Sequence, residues 1–196
     1  MKEMKYKKIL YRDLVMKDLI EKYGELTLTE SNDYFVDLVR SIVAQQLSGK
    51  AASTIWKRVE TLVNGEITAC KFLSVPHELM RQAGVSGNKT RYIKNIAQAV
   101  MDKSLDLENI RSYDNREIIR QLTAIKGVGQ WTAEMFLIFS LAREDIFSFG
   151  DGGLNSAINK LYGNGVALTK DEIKAITEKW RPYRSIASLY LWRSLD

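Results

Sequence analysis

Residues 122–154 limit the possible folds more than any other stretch of the chain. Leu122 and Ile125 sit three apart, so both fall on one face at the end of a helix. Gly127 and Gly129 bracket Val128, and two glycines this close let the backbone take positive φ and turn tightly. Thr132 and Ala133 then open a second apolar helix that runs through Met135, Phe136, Ile138 and Phe139. The expected unit is therefore helix, tight turn, helix. Such a turn aims backbone N–H groups and a helix N-terminus outward, which suits an anion. A lone carboxylate, Asp151, follows and opens a third helix.

Almost all of the remaining chain also reads as helix. There are only two prolines and no sustained period-two run, so the fold class is all-α, with about ten helices. Residues 13–23 form a short amphipathic helix with Gly24 as its C-cap, preceded by the Lys5-Tyr6-Lys7-Lys8 run, which reads as a solvated basic start or, alternatively, a phosphate contact. Residues 25–31 fit a turn or a short extended piece. Asn32 or Asp33 caps a helix to about 47, whose core face is Phe35, Leu38, Val39, Ile42 and Val43. Ser48 caps the next, over 50–63. Short helices follow over 68–73 and 76–83, then a glycine-rich loop over 84–89 and a helix over 89–101. Asp114 and Glu117 start the helix that enters the hairpin. After Asp151 a helix runs to 161, Thr169 with Glu172 caps another to about 179, and Pro182 starts the last, which ends near Trp192.

Composition narrows the chemistry. At 196 residues and 45% hydrophobic, the chain can fill a core as one large domain or two small lobes. Its net charge of +5 fits a polyanionic partner. A single cysteine, Cys70, excludes an intramolecular disulfide and a four-cysteine iron–sulfur cluster, and points to a reducing compartment. His77 has no second ligand near it in sequence and reads as a surface helix residue. No apolar run reaches membrane-spanning length, and the lysine-rich start lacks a signal-peptide core. Gly49-Lys50 lacks the first glycine of a P-loop, because Ala44 stands there.

The hairpin, Leu122-x-x-Ile125-x-Gly127-Val128-Gly129 with Ala133 after it, resembles the helix-hairpin-helix DNA glycosylases. The Gly150-Asp151-Gly152-Gly153-Leu154 loop is similar to the place where that superfamily keeps its catalytic aspartate. Within it the chain looks most like the 3-methyladenine DNA glycosylase II family of alkylated-base excision enzymes. Residues 42–52 and 180–192 support this, and the likeness covers roughly 32–196.

The resemblance implies a compact two-lobe fold forming a single glycosylase domain. One lobe is about 32–134 and ends in the hairpin. The other is about 1–31 plus 135–196, with double-stranded DNA crossing between the two. It implies a monomer with no cofactor that acts on a flipped, damaged base and excises alkylated purines to leave an abasic site. No side-chain metal ligands are implied, only a monovalent cation at hairpin backbone carbonyls. The expected location is the nucleoid of a bacterial or archaeal cell, or a nucleus.

Residue by residue, Asp151 reads either as a helix cap or, with the hairpin upstream, as the catalytic carboxylate. Trp131 stands where strand-cutting relatives carry a lysine; it cannot act as an amine nucleophile but can stack on an electron-poor base. Trp192 resembles a second pocket wall. Gly152 and Met135 stand where relatives have aromatic residues, which implies a more open pocket. Gly127, Val128, Gly129 and Thr132 are the expected phosphate grip. Gln45 and Gln46 are two polar residues at a helix end or, by resemblance, a turn that enters the minor groove, with Gln46 filling the gap and Leu47 as the alternative. Lys89, with Arg91 and Lys94, opposes its own helix dipole, and phosphate contact and ordinary solubility explain that equally well. Glu144 and Asp145 read as loop charges. A non-catalytic DNA-binding hairpin protein and a glycosylase for oxidised or deaminated bases remain the rival readings.

Overall fold

The computed structural model describes residues 5–196; the first four residues of the lysine-rich start lie outside them. Among the described residues the chain forms twelve α-helices, a 3-10 turn at Ile110–Ser112 and a π-helical turn at Phe136–Ser140, with no strand. It divides into two compact units. One comprises Met1–Glu30 with Leu137–Asp196, the other Ser31–Phe136. No described helix is long and apolar enough to cross a membrane.

The first unit holds α1 (Lys5–Leu10), α2 (Leu14–Tyr23), α10 (Gly152–Tyr162), α11 (Lys170–Glu178) and α12 (Arg184–Arg193). α1 corrects the expectation of a solvated basic start. Tyr6 and Leu10, four apart, share a face and are both buried, while Lys7 reaches Glu25 at 2.9 Å. The core gathers Leu10, Met16, Ile20, Leu154, Ile158, Trp180, Tyr190 and Leu191. Asp13 ties this core together from its edge. It caps α2 by accepting from the amides of Val15 and Met16, and it also receives Tyr162 Oη and Trp180 Nε1, both at 3.0 Å. Burial first, and then the Asp13 carboxylate, pushes the Tyr162 hydroxyl above the ordinary tyrosine range, so it stays protonated and donates.

α12 begins at Arg184, so Pro182 lies outside it, contrary to the expectation that it starts this helix. Asp145 lies in a loop, as expected, but it is tied down. Arg184 Nε donates to it at 2.6 Å and Arg181 Nη1 at 2.8 Å, which fastens the loop before Asp151 to the start of α12.

The second unit holds α3 (Tyr34–Ala44), α4 (Gly49–Leu62), α5 (Ala69–Ser74), α6 (His77–Gln82), α7 (Gly87–Met101), α8 (Asn115–Thr123) and α9 (Gln130–Met135). Asp33 caps α3, and the predicted face Phe35, Leu38, Val39, Ile42 and Val43 is buried. Phe35 meets Phe72 of α5 edge-on at 6.0 Å. α3 stops at Ala44, three residues earlier than expected, because Gln45 leaves helical dihedrals and Gln46 takes φ +56°. α7 starts two residues earlier than expected. Ser86 is its cap, and its side chain accepts from the Lys89 amide. Asp114 caps α8, but Glu117 turns to Arg120 and Gln121 instead of closing a capping box.

Candidate active site and nucleic-acid interface

The hairpin lies between Thr123, the last residue of α8, and Gln130, the first of α9. Leu122 and Ile125 are buried, as their spacing requires. The turn closes through Val128 N–H on the Ile125 carbonyl at 3.0 Å. Only Gly127 takes positive φ, at +109°; Gly129 sits at φ −91° in the cap position of α9, which corrects the expectation that both glycines serve the turn alike. A Cβ on Gly127 would lie 2.1 Å from Cγ of Tyr92, whereas one on Gly129 would meet nothing within 4 Å. Conformation and packing thus both demand glycine at 127. At 129 the space is open, and the missing side chain lets another molecule approach the backbone closely.

Val128 and Thr132 are buried, so their side chains pack and any contact they make outside the chain goes through backbone. The carbonyls of Ile125, Lys126 and Gly129 accept from Val128 N–H, Asn95 Nδ2 and Ala133 N–H. Each keeps a second lone pair, so the monovalent cation that the resemblance implies is chemically compatible with the turn. Among the described residues no cluster of three or more His, Cys, Asp or Glu could hold a metal ion. Trp131, on the first turn of α9, leaves 46% of its surface exposed. Met135 closes α9 half-buried.

Asp151 is the N-cap of α10 and is only 8% exposed. Its Oδ1 accepts from the Leu154 amide at 2.8 Å and from Trp192 Nε1 at 3.0 Å. Capping alone needs the first of these. The indole, from α12, adds a second donor to the same oxygen. Gly152 is exposed with open space where a Cβ would go. Gly153 is different: a Cβ there would lie 3.2 Å from both Asp151 Oδ1 and Trp192 Cδ1, so a side chain at 153 would make the Asp–Trp pair give by a few tenths of an ångström. Trp192 in turn packs against Phe139 at 5.5 Å between ring centroids. Phe139 is 49% exposed because the π-helical turn, wider than an α turn, swings it off the buried face that its spacing suggests.

The structure therefore brings Asp151, Gly152 and Trp192 together in the first unit. The hairpin, Trp131, Met135, Gln45, Gln46, Leu47 and Lys89 belong to the second. Gln46 and Leu47 are exposed and Gln45 is half-buried. The Lys89 ammonium donates to the backbone carbonyls of Val43 and Gln45 at 2.8 and 2.6 Å, and does not project freely into solvent. Sequence reasoning missed Phe139, Gly153 and Tyr92. No local signal marks a π-helical turn, and the neighbours that make Gly153 and Tyr92 matter come from distant helices.

Residues 39–182 match the HhH-GPD superfamily of base excision DNA repair proteins. The chain belongs to that superfamily. It is 32% identical to DNA-3-methyladenine glycosylase 1 of Schizosaccharomyces pombe over 179 residues, which covers 90% of this chain and 78% of that protein. Two solved structures of relatives agree with it closely. The DNA-3-methyladenine glycosidase of Bacillus halodurans superposes with a TM-score of 0.88 at 42% identity, covering 98% of this chain and 89% of that one. A 3-methyladenine DNA glycosylase of Schizosaccharomyces pombe, in complex with abasic DNA, superposes with a TM-score of 0.87 at 31% identity, covering 97% and 96%. The all-helical architecture and the superfamily thus agree with the expectation drawn from the hairpin and the aspartate loop.

Proposed function

We propose that this protein is a hydrolytic DNA glycosylase that removes alkylated purines of the 3-methyladenine and 7-methylguanine type from duplex DNA and leaves an abasic site. The observation that carries the reading is the Asp151 carboxylate, held at Oδ1 by the Leu154 amide and the Trp192 indole. Breaking the bond between C1′ and the purine nitrogen sends the electron pair to the base and builds positive charge on the sugar. A fixed carboxylate stabilises that charge and orients a water whose oxygen bonds to C1′; the water's proton passes to the carboxylate or to solvent. An alkylated purine already carries positive charge, so it departs without a dedicated general acid.

Around that step the other residues bind. The exposed face of Trp131 stacks on the extruded, electron-poor base. Trp192 and the open space at Gly152 lie beside the Asp151 carboxylate, where the base is released. The backbone of the 127–129 turn grips a DNA phosphate, with Gly129 leaving room for it. Gln46 fills the gap in the stack. The protein works on DNA as a monomer. With tryptophan at 131, no amine there attacks the sugar, and the strand stays intact.

The test is single-turnover release of 7-methylguanine or 3-methyladenine from alkylated duplex by wild type and Asp151→Asn. Asparagine keeps an Oδ1 that accepts from both donors and caps a helix as well as aspartate does, so the fold should melt normally. Loss of the charge should slow release on the order of 10²–10³-fold, with DNA affinity retained. Release within about threefold of wild type, only roughly 0.65 kcal/mol in barrier, removes Asp151 from the chemistry, whereas no release by the wild type itself favours a non-catalytic hairpin protein.

A further inference from the structure

Residues 45–48 link α3 to α4 and carry an unusual conformation. Gln46 takes φ +56°, a left-handed geometry that residues other than glycine adopt infrequently. Both Gln46 and Leu47 are exposed, so packing of their own side chains does not enforce that geometry. The turn's own backbone bonds are few: Gln45 N–H shares the Ser41 and Ile42 carbonyls, and Leu47 N–H reaches the Ala44 carbonyl at 3.1 Å. A strained, exposed turn persists when something outside it determines its shape.

That outside element is Lys89. It stands in the first turn of α7, where a positive charge opposes the dipole of its own helix. Its side chain crosses to the end of α3 and donates to the Val43 carbonyl at 2.8 Å and the Gln45 carbonyl at 2.6 Å. There the charge meets the negative end of the α3 dipole and satisfies carbonyls that helix termini leave open. The ammonium is half-buried, and that burial holds its pKa below the usual lysine range. A lysine serving a phosphate would instead keep its ammonium extended toward solvent.

We propose that Lys89 is a positioning residue: its ammonium clamps the carbonyls on either side of Ala44 and so presents Gln46, one residue further on, in the conformation that enters the duplex. This rests on the gap-filling role of Gln46 given above. The DNA-contacting turn is thereby held from a helix more than forty residues downstream, and Lys89 acts on extrusion of the base without touching DNA.

The test uses the full chain and a duplex with one 7-methylguanine beside a 2-aminopurine, whose fluorescence rises when its neighbour leaves the stack. Extrusion is followed by stopped flow before base release. Binding to an undamaged duplex is measured across salt. The variants are Lys89→Met, Lys89→Arg, Gln46→Ala and the double Gln46→Ala/Lys89→Met. Lys89→Met should slow extrusion about ten- to a hundredfold, the size expected when a working group is misplaced by about an ångström. It should leave the slope of log affinity against log salt unchanged. Lys89→Arg, which can still donate to both carbonyls, should recover most of the extrusion rate. The double variant should be no slower than Gln46→Ala, because both changes act through the same turn.

A fall of about one in the salt slope for Lys89→Met would make Lys89 a phosphate contact and overturn the proposal. So would normal extrusion by Lys89→Met when Gln46→Ala is slow. Normal extrusion by Gln46→Ala would overturn the gap-filling role and the proposal with it, and is distinguishable because it appears in the single Gln46 variant. Melting of each variant reports on fold, and Lys89→Arg keeps the test decisive if Lys89→Met is unstable.

Discussion

The two hairpin glycines divide two jobs that the sequence merges. At Gly127 an alanine must hold φ +109° and put its Cβ into the Tyr92 ring. A left-handed residue costs about 1–2 kcal/mol and overpacking about 1–3 kcal/mol more. Gly127→Ala should therefore destabilise the protein by about 2 kcal/mol or more, seen as a clear drop in denaturation midpoint. At Gly129 the backbone is ordinary extended and the Cβ space is open, so Gly129→Ala should stay within about 1 kcal/mol of wild type. Its effect should appear in binding, weakened to a similar extent on lesion and undamaged duplex, because a phosphate grip is blind to the base. Unchanged affinity in a folded Gly129→Ala protein would remove the hairpin from the DNA interface.

Helices here depend on a few polar junctions as much as on their apolar faces. Asp13 joins α2, α10 and the residues following α11: it caps one helix, receives Tyr162 from the second, and receives the fully buried Trp180 just beyond the third. Asp13→Ala removes a cap worth about 1 kcal/mol and takes the acceptor from the buried Trp180 donor and the half-buried Tyr162 donor, at about 1–3 kcal/mol each. The terms overlap, so the expected loss is about 3 kcal/mol or somewhat more. Asp13→Asn keeps an accepting oxygen and should lose less than half of that. Chemical denaturation of both variants checks the ordering, and equal losses would show that charge, not acceptance, holds the junction. The π-helical turn after α9 is a second element-scale device. Five residues in one wide turn put Phe139 beside Trp192 and outward, where an uninterrupted α-helix would have carried its side chain elsewhere.

For the molecule as a whole, the excess of five positive charges and the proposed grip on phosphate make a joint prediction. Affinity for undamaged duplex should fall steadily with salt, because each phosphate neutralised releases counterions. With tryptophan at 131, base release should leave the strand whole until alkali is added, and borohydride should trap no protein–DNA adduct. A salt-independent affinity would count against DNA as the partner. A trapped adduct would reveal an amine nucleophile and move the protein to the strand-cutting class.

The features legible without the fold are local. Helix caps at Asp33, Ser48, Asp114 and Thr169 follow from side chains that reach an amide three residues on. The hairpin and the aspartate loop are short motifs read without knowledge of packing, and they were enough to identify the superfamily. Where an outcome depended on distant partners, sequence reasoning fell short. The sequence leaves Lys89 an uncommitted charge and Asp145 a loop charge without a partner in view. Tertiary structure supplies the partners, carbonyls 44 and 46 residues away for Lys89 and an arginine 39 residues away for Asp145. It also decided what fixes the Asp151 carboxylate, an indole 41 residues downstream. The physical reason is common to all of these. A cap or a turn is satisfied within one helical turn of chain, whereas a buried charge or an exposed ring takes its role from whichever helix the core packing brings beside it.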